Sequence, residues 1–157
     1  MPWLIFDVRQ MNTPHAQIAF HPRRARISPA AFILLCFLLA APGYALCRLA
    51  SWIDWRVLVG APLALSGFTF FAYRSDKLRA EAGEWRIPES TLQFAALIGG
   101  WPGAFLAQQR FRHKTSKPSF QFIFWLAVLT NQFVAVDFLL GWRFTKDAFR
   151  LIKSQIA

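Results

Sequence analysis

Metal and redox chemistry have little to stand on in this sequence, which holds two cysteines and three histidines. Cys36 and Cys47 sit in one apolar stretch, form no Cys-x-x-Cys and have no histidine at ligand spacing. That argues against a disulfide, a metal site or a bound cofactor and for two small apolar side chains. A glycine-rich phosphate cradle is also missing, which speaks against a nucleotide loop. Acids are scarce, eight Asp and Glu against 18 Lys and Arg, for a formal net charge of +10. A transport path through a bilayer needs several ionisable groups facing one another. The apolar stretches supply one, Asp137.

What the chain has instead is apolar bulk in blocks. Apolar residues make up 55% of its 157 positions, with 17 Phe and 7 Trp. They fall into runs separated by charge clusters, and runs of about 17–25 apolar residues are what a bilayer of about 30 Å demands of a helix. The pattern predicts an all-α, polytopic membrane protein with four apolar helical segments, at about 30–47, 57–73, 92–107 and 119–142, within a membrane domain of 29–142. A soluble basic protein would suggest nucleic acid as partner. Here the charge lies between the apolar blocks, as expected of loops that face anionic lipid.

Residues 1–28 are polar and proline-broken and read as a mobile tail. Arg23, Arg24 and Arg26 in it are expected to hold the N-terminus in the cytoplasm. The first segment is too long for a signal peptide's apolar region and is followed by more spans; Pro42-Gly43 predicts a kink in it. In the second, Gly60, Ala64 and Gly67 offer a small face for close helix contact. Residues 74–88 then carry four bases and three acids, among them Asp76, Lys77 and Arg86, and read as a solvated loop or helix extension. Pro88 suits the first position of a helix and Glu89 its first turn.

The third segment has the most ordered pattern. Ala95, Gly99, Gly103 and Ala107 recur every four residues, so they share one helical face where another helix can approach closely. The same face would serve a homo-oligomer. Pro102 complicates the run, because it removes a backbone donor. The segment is therefore expected to be kinked, or re-entrant with Gly99–Gly103 as its tip, an arrangement tolerated only against protein or water. The positive-inside rule does not choose between these: either way 12 Lys and Arg fall inside with the N-terminus and six outside.

Residues 110–118 are basic without an acid. Arg112, His113, Lys114 and Lys117, with Thr115 and with Lys77 and Arg86 from the preceding loop, form a candidate anion or lipid-headgroup site. His113 titrates near neutrality in an ordinary setting. Were the chain an enzyme or carrier for an anionic, lipid-like substrate, His113, Glu89 and Asp76 would be its catalytic candidates, and both charged loops would have to share one side. No reaction is indicated, and the balance leans away from an enzyme. Asn131, mid-way along the fourth segment, is expected to bridge to another helix. Residues 143–157 place Phe144, Ala148, Leu151 and Ile152 near one face, as an amphipathic interfacial helix would.

Taken in order, Asp76-Lys77, Trp85-Arg86-Ile87-Pro88-Glu89, Gly99-Gly100-x-x-Gly103 and Arg112-His113-Lys114-Thr115-x-Lys117, followed by Phe120, resemble a family of small bacterial membrane proteins (domain of unknown function twelve-ninety-four). The resemblance implies a bacterial inner-membrane protein with no established activity and supplies no catalytic residues. Some members carry a cold-shock domain ahead of the membrane part. The first 28 residues here are far too short for that barrel, so a nucleic-acid role does not carry over. The expectation is a structural or interaction role, with membrane lipids as partners and a basic surface at the headgroups. A tether for nucleic acid is the remaining alternative.

Overall fold

The computed structural model describes residues 27–112, 114–115 and 117–156. Among the described residues there are six α-helices and no strand: α1 Pro29–Leu49, α2 Trp55–Ala82, α3 Glu89–Ala95, α4 Trp101–Phe111, α5 Pro118–Leu139 and α6 Arg143–Ile156. Residues Ala96–Gly100 join α3 to α4 as a widened π-type turn. Three of these helices, α1, α2 and α5, are long and apolar enough to cross a membrane.

Local chemistry sets the helix ends. The Ser28 hydroxyl accepts the Ala31 N–H at 3.1 Å, and Pro29 occupies the first helical position, where no N–H is needed. Asp54 caps α2 through the Arg56 N–H at 2.7 Å. Gly83, at φ 69, ends it in the left-handed conformation. Most of the charged stretch is thus the last turns of α2, the helix extension among the two forms expected for it, and α2 runs nine residues beyond Tyr73. Pro88 precedes the first residue of α3 instead of occupying that position.

Residues 89–111 go out and come back. Gly99 has φ 114, a conformation open to glycine and strained for other residues, and it breaks the helical path. At one end of the bundle the Ile87 N–H meets Asp76 and the Phe111 carbonyl meets Lys77, so the two feet of this hairpin rest beside the same turn of α2. At its tip, Gly99 lies against Leu65, and Gly100 and Gly103 lie against Thr69 and Ser66, some two to three turns earlier in α2. A Cβ on Gly103 would stand 2.6 Å from the Ser66 carbonyl carbon and 2.9 Å from its Cα. The small face read from the sequence is therefore filled from within the chain, by α2. Ala95 and Ala107 are buried with it. The face on α2 itself is open: nothing comes within 4 Å of a Cβ built on Gly60 or Gly67.

The core lies where α2, the hairpin and α5 meet. Tyr73, Leu92, Trp101, Phe105, Phe120, Phe124 and Val128 are its large members. Polar side chains of α5 satisfy backbone carbonyls elsewhere in the bundle. Asn131 donates to the Leu97 carbonyl at 2.8 Å, in the turn where the helical path is broken. Gln132 donates to the Leu38 carbonyl at 2.7 Å. Leu38 lies four residues before Pro42, whose missing N–H would have been its helical partner, so the amide replaces that bond. By contrast, large apolar side chains such as Phe32, Phe37, Leu63, Phe68, Phe122 and Leu129 point outward along the full bundle. Such an apolar exterior suits lipid and is poorly matched to water.

Candidate functional site

Asp76 sits on the face of α2 that carries Thr69 and Tyr73, one helical turn or two apart, and its side chain is fully buried. One carboxylate oxygen accepts the Ile87 N–H at 3.0 Å. The other lies 3.0 Å from the Lys114 ammonium, which is itself only 7% exposed. Lys114 reaches this position because the loop after α4 turns sharply, with Arg112 at φ 46 and Lys114 at φ 61. The ammonium also stands 5.0 Å from the centre of the Phe120 ring and 3.8 Å from Glu89. A cation over an aromatic face is favourable, more so when desolvated.

Glu89, at the foot of α3, takes both contacts from Lys117, at 2.8 and 2.9 Å. That hydrogen bond, aided by the two ammonium charges, holds the Glu89 carboxyl below the usual carboxylate range, against the opposing effects of burial and of the Asp76 charge. The pair is solvent-facing and is worth at most about 1 kcal/mol. Lys77 donates to the Phe111 carbonyl at 3.1 Å and closes the end of α4. Gln121 of α5 joins this end by donating to the Lys114 carbonyl at 3.0 Å and to Gln108. Two atoms deep in the cluster, the Tyr73 hydroxyl and the Gln108 amide nitrogen, have no hydrogen-bond partner among the described residues.

The structure thus brings together Asp76, Glu89, Lys114, Lys117 and Lys77 from the candidates read in the sequence. Arg86, Arg112 and Thr115 are at the same end but exposed, and neither arginine forms an ion pair among the described residues. His113 and the Arg23–Arg26 cluster lie outside the described residues. Both charged loops are at one end of the bundle, the condition a shared anionic site requires. Yet the acids and lysines nearest one another neutralise each other. Chemically the centre is a latch, with the exposed side chains of Arg86 and Arg112 at the same end.

Sequence reasoning missed the role of Asp137, at the opposite end. It is buried, and its carboxylate accepts the Phe144 N–H at 2.9 Å, the Thr145 N–H at 3.2 Å and the Thr145 hydroxyl. These bonds cap the first turn of α6. The readable signal was an acid followed by Gly141 and then Thr145, a turn and a new helix start, in place of a polar group inside a span.

Among the described residues the chain is all-helical, and three helices long and apolar enough to cross a bilayer, with an apolar exterior, suggest the membrane-protein class. Residues 66–120 match the family model described as "Protein of unknown function (DUF1294)". The uncharacterized protein YsdA of Bacillus subtilis (strain 168) is 40% identical over 53 residues, which is 34% of this chain and 60% of that protein. The chain therefore spans less than two thirds of that relative's length. No solved structure matches. The matched stretch covers the hairpin and the part of α2 it packs on: it begins at Ser66, under Gly103, and ends at Phe120, under Lys114. The resemblance read from the motifs is confirmed over these residues.

Proposed function

We propose that this protein is a multi-pass bacterial inner-membrane protein with a structural or interaction role, in which residues 89–111 form a re-entrant hairpin entering and leaving on the cytoplasmic side. The observation that carries this reading is the Asp76–Lys114 ion pair at 3.0 Å, since a bilayer cannot separate two loops that are bonded to one another. The Lys and Arg distribution supports an N-terminus inside: with a re-entrant hairpin, 12 bases from the tail and both loops share that side and six face the other. Irregular backbone at the hairpin tip is buried against α2 and has its Leu97 carbonyl bonded by Asn131, as non-helical backbone at membrane depth requires.

The test is sidedness. In a Cys36→Ser/Cys47→Ser background, Ser75→Cys and Thr115→Cys are treated with a membrane-impermeant thiol reagent in intact cells. Both should stay unlabelled until the membrane is opened. Labelling of Thr115→Cys alone from outside would show that residues 89–111 cross the bilayer.

The exposed guanidiniums of Arg86 and Arg112, beside the exposed Trp85, form the surface that meets anionic headgroups. Arg86→Ala with Arg112→Ala should weaken retention of phosphatidylglycerol by the purified protein by a few-fold while leaving the unfolding midpoint in place. Unchanged lipid retention would remove the headgroup role.

A further inference from the structure

The most exposed amphipathic element is α6, and it lies at the end of the bundle opposite the charged latch. Its five charged residues, Arg143, Lys146, Asp147, Arg150 and Lys153, fall within about one third of the helix circumference at 3.6 residues per turn. Phe144, Phe149, Leu151 and Ile152 occupy the other side and are 53%, 70%, 68% and 58% exposed. In water this would be a costly arrangement.

Two further observations fix where that apolar side points. Gly141 and Trp142 adopt φ 73 and 61, and the Asp137 carboxylate binds the first N–H groups of α6, so the chain leaves the axis of α5 through a held elbow. The Phe144 ring then comes back to within 6.1 Å of Phe133, a residue of α5 that is itself 55% exposed on the apolar flank. The apolar side of α6 is turned toward the same flank that would meet hydrocarbon, and its basic side is turned away. Trp142, at the junction, is an interfacial ring by type and place.

We propose that α6 is a membrane-surface foot, lying in the headgroup layer of the leaflet opposite the charged latch and binding an anionic lipid surface. The apolar side chains enter the acyl boundary, and the basic side chains face the phosphates. Net basic charge on the polar side matches that surface. This inference rests on α5 crossing the bilayer.

The test uses the full chain in the Cys36→Ser/Cys47→Ser background, with a polarity-sensitive fluorophore on Leu151→Cys, Ser154→Cys or Leu129→Cys, in phosphatidylglycerol vesicles containing lipids brominated at shallow or deep positions. Leu151 should be quenched severalfold more than Ser154 and mainly by shallow bromines. Leu129, exposed half-way along α5, should be quenched mainly by deep ones. If Leu129 is quenched and Leu151 is as aqueous as Ser154, the foot is wrong while the span stands. If Leu129 is not quenched, the span itself fails. Shielding of Leu151 that rises with protein concentration and ignores bromine would assign the face to a second copy of the chain and overturn the lipid assignment.

Discussion

Gly103→Ala should cost this protein more stability than any other single-methyl change. The added Cβ would meet the backbone of Ser66, its carbonyl carbon at 2.6 Å and its Cα at 2.9 Å, and no flexible side-chain end is there to move aside. Relief requires α4 to separate from α2 along its length, which uncovers Gly100 against Thr69 and loosens Trp101 and Phe105 in the core. Overpacking a tight site costs about 1–3 kcal/mol and sometimes more, and a clash between two backbones belongs at or above the top of that range. With total stabilities of about 5–15 kcal/mol, such a loss should lower the unfolding midpoint in detergent visibly and raise the unfolded fraction at 37 °C. The controls are built into α2. Gly60→Ala and Gly67→Ala add a methyl to open space in a helix, where replacing glycine is neutral or stabilises by up to about 1 kcal/mol. Gly99 is a third case. Its Cβ would meet Leu65 at an ordinary 3.6 Å, so Gly99→Ala is disfavoured by φ 114 and not by crowding. A Gly103→Ala protein that unfolds with the wild-type midpoint would mean that α2 and α4 are not in close contact.

That three-way division shows how far the sequence reaches. The period of four in Ala95, Gly99, Gly103 and Ala107 identified a face for close contact, because glycine and alanine leave room whatever the partner is. It did not reveal that Gly99 serves the turn while Gly103 serves the packing, since that depends on backbone dihedrals. The long helices were legible because a bilayer-length apolar run carries its own measure. The charged end of α2 was not, because ion-paired and solvated charges look alike in a linear string. The direction of residues 89–111 was hidden for a definite reason: the two topologies place equal numbers of Lys and Arg inside, so the one sequence rule that bears on direction is balanced. The distinction lies in Asp76 meeting Lys114, a pairing across 38 positions that no local pattern encodes. Gln132 is a similar case. Pro42 announces a carbonyl in need of a donor, but nothing local says that the donor comes from α5.

Removing one member of the Asp76–Lys114 pair should be the second large loss. Asp76→Ala leaves an ammonium that is 7% exposed without its carboxylate and takes the acceptor from the Ile87 N–H. Breaking a buried pair from one side typically costs about 3–5 kcal/mol; here Glu89, 3.8 Å from the ammonium and partly exposed, still balances some of the remaining charge, which places the loss toward the lower end. The cation over Phe120 recovers a part of this, on the order of 1 kcal/mol. Lys114→Met should be damaging too, since it removes the ammonium from a fully buried carboxylate. The informative protein is the double variant, Asp76→Leu with Lys114→Met. Buried ion pairs replaced by apolar side chains of similar volume are often near neutral, so the double variant should regain most of the midpoint lost by either single change, a coupling measurable by a double-mutant cycle. The same protein separates a latch from a binding centre. A pair that only pins the hairpin feet to α2 can be replaced by packing, and Thr115→Cys in the double variant should keep its inside accessibility and the protein its lipid retention. A pair that holds an anionic ligand cannot be replaced that way: stability would return while retention of the lipid fell with it. If the double variant is as unstable as the sum of the two single ones, the side chains are not acting as a pair and the latch is wrong.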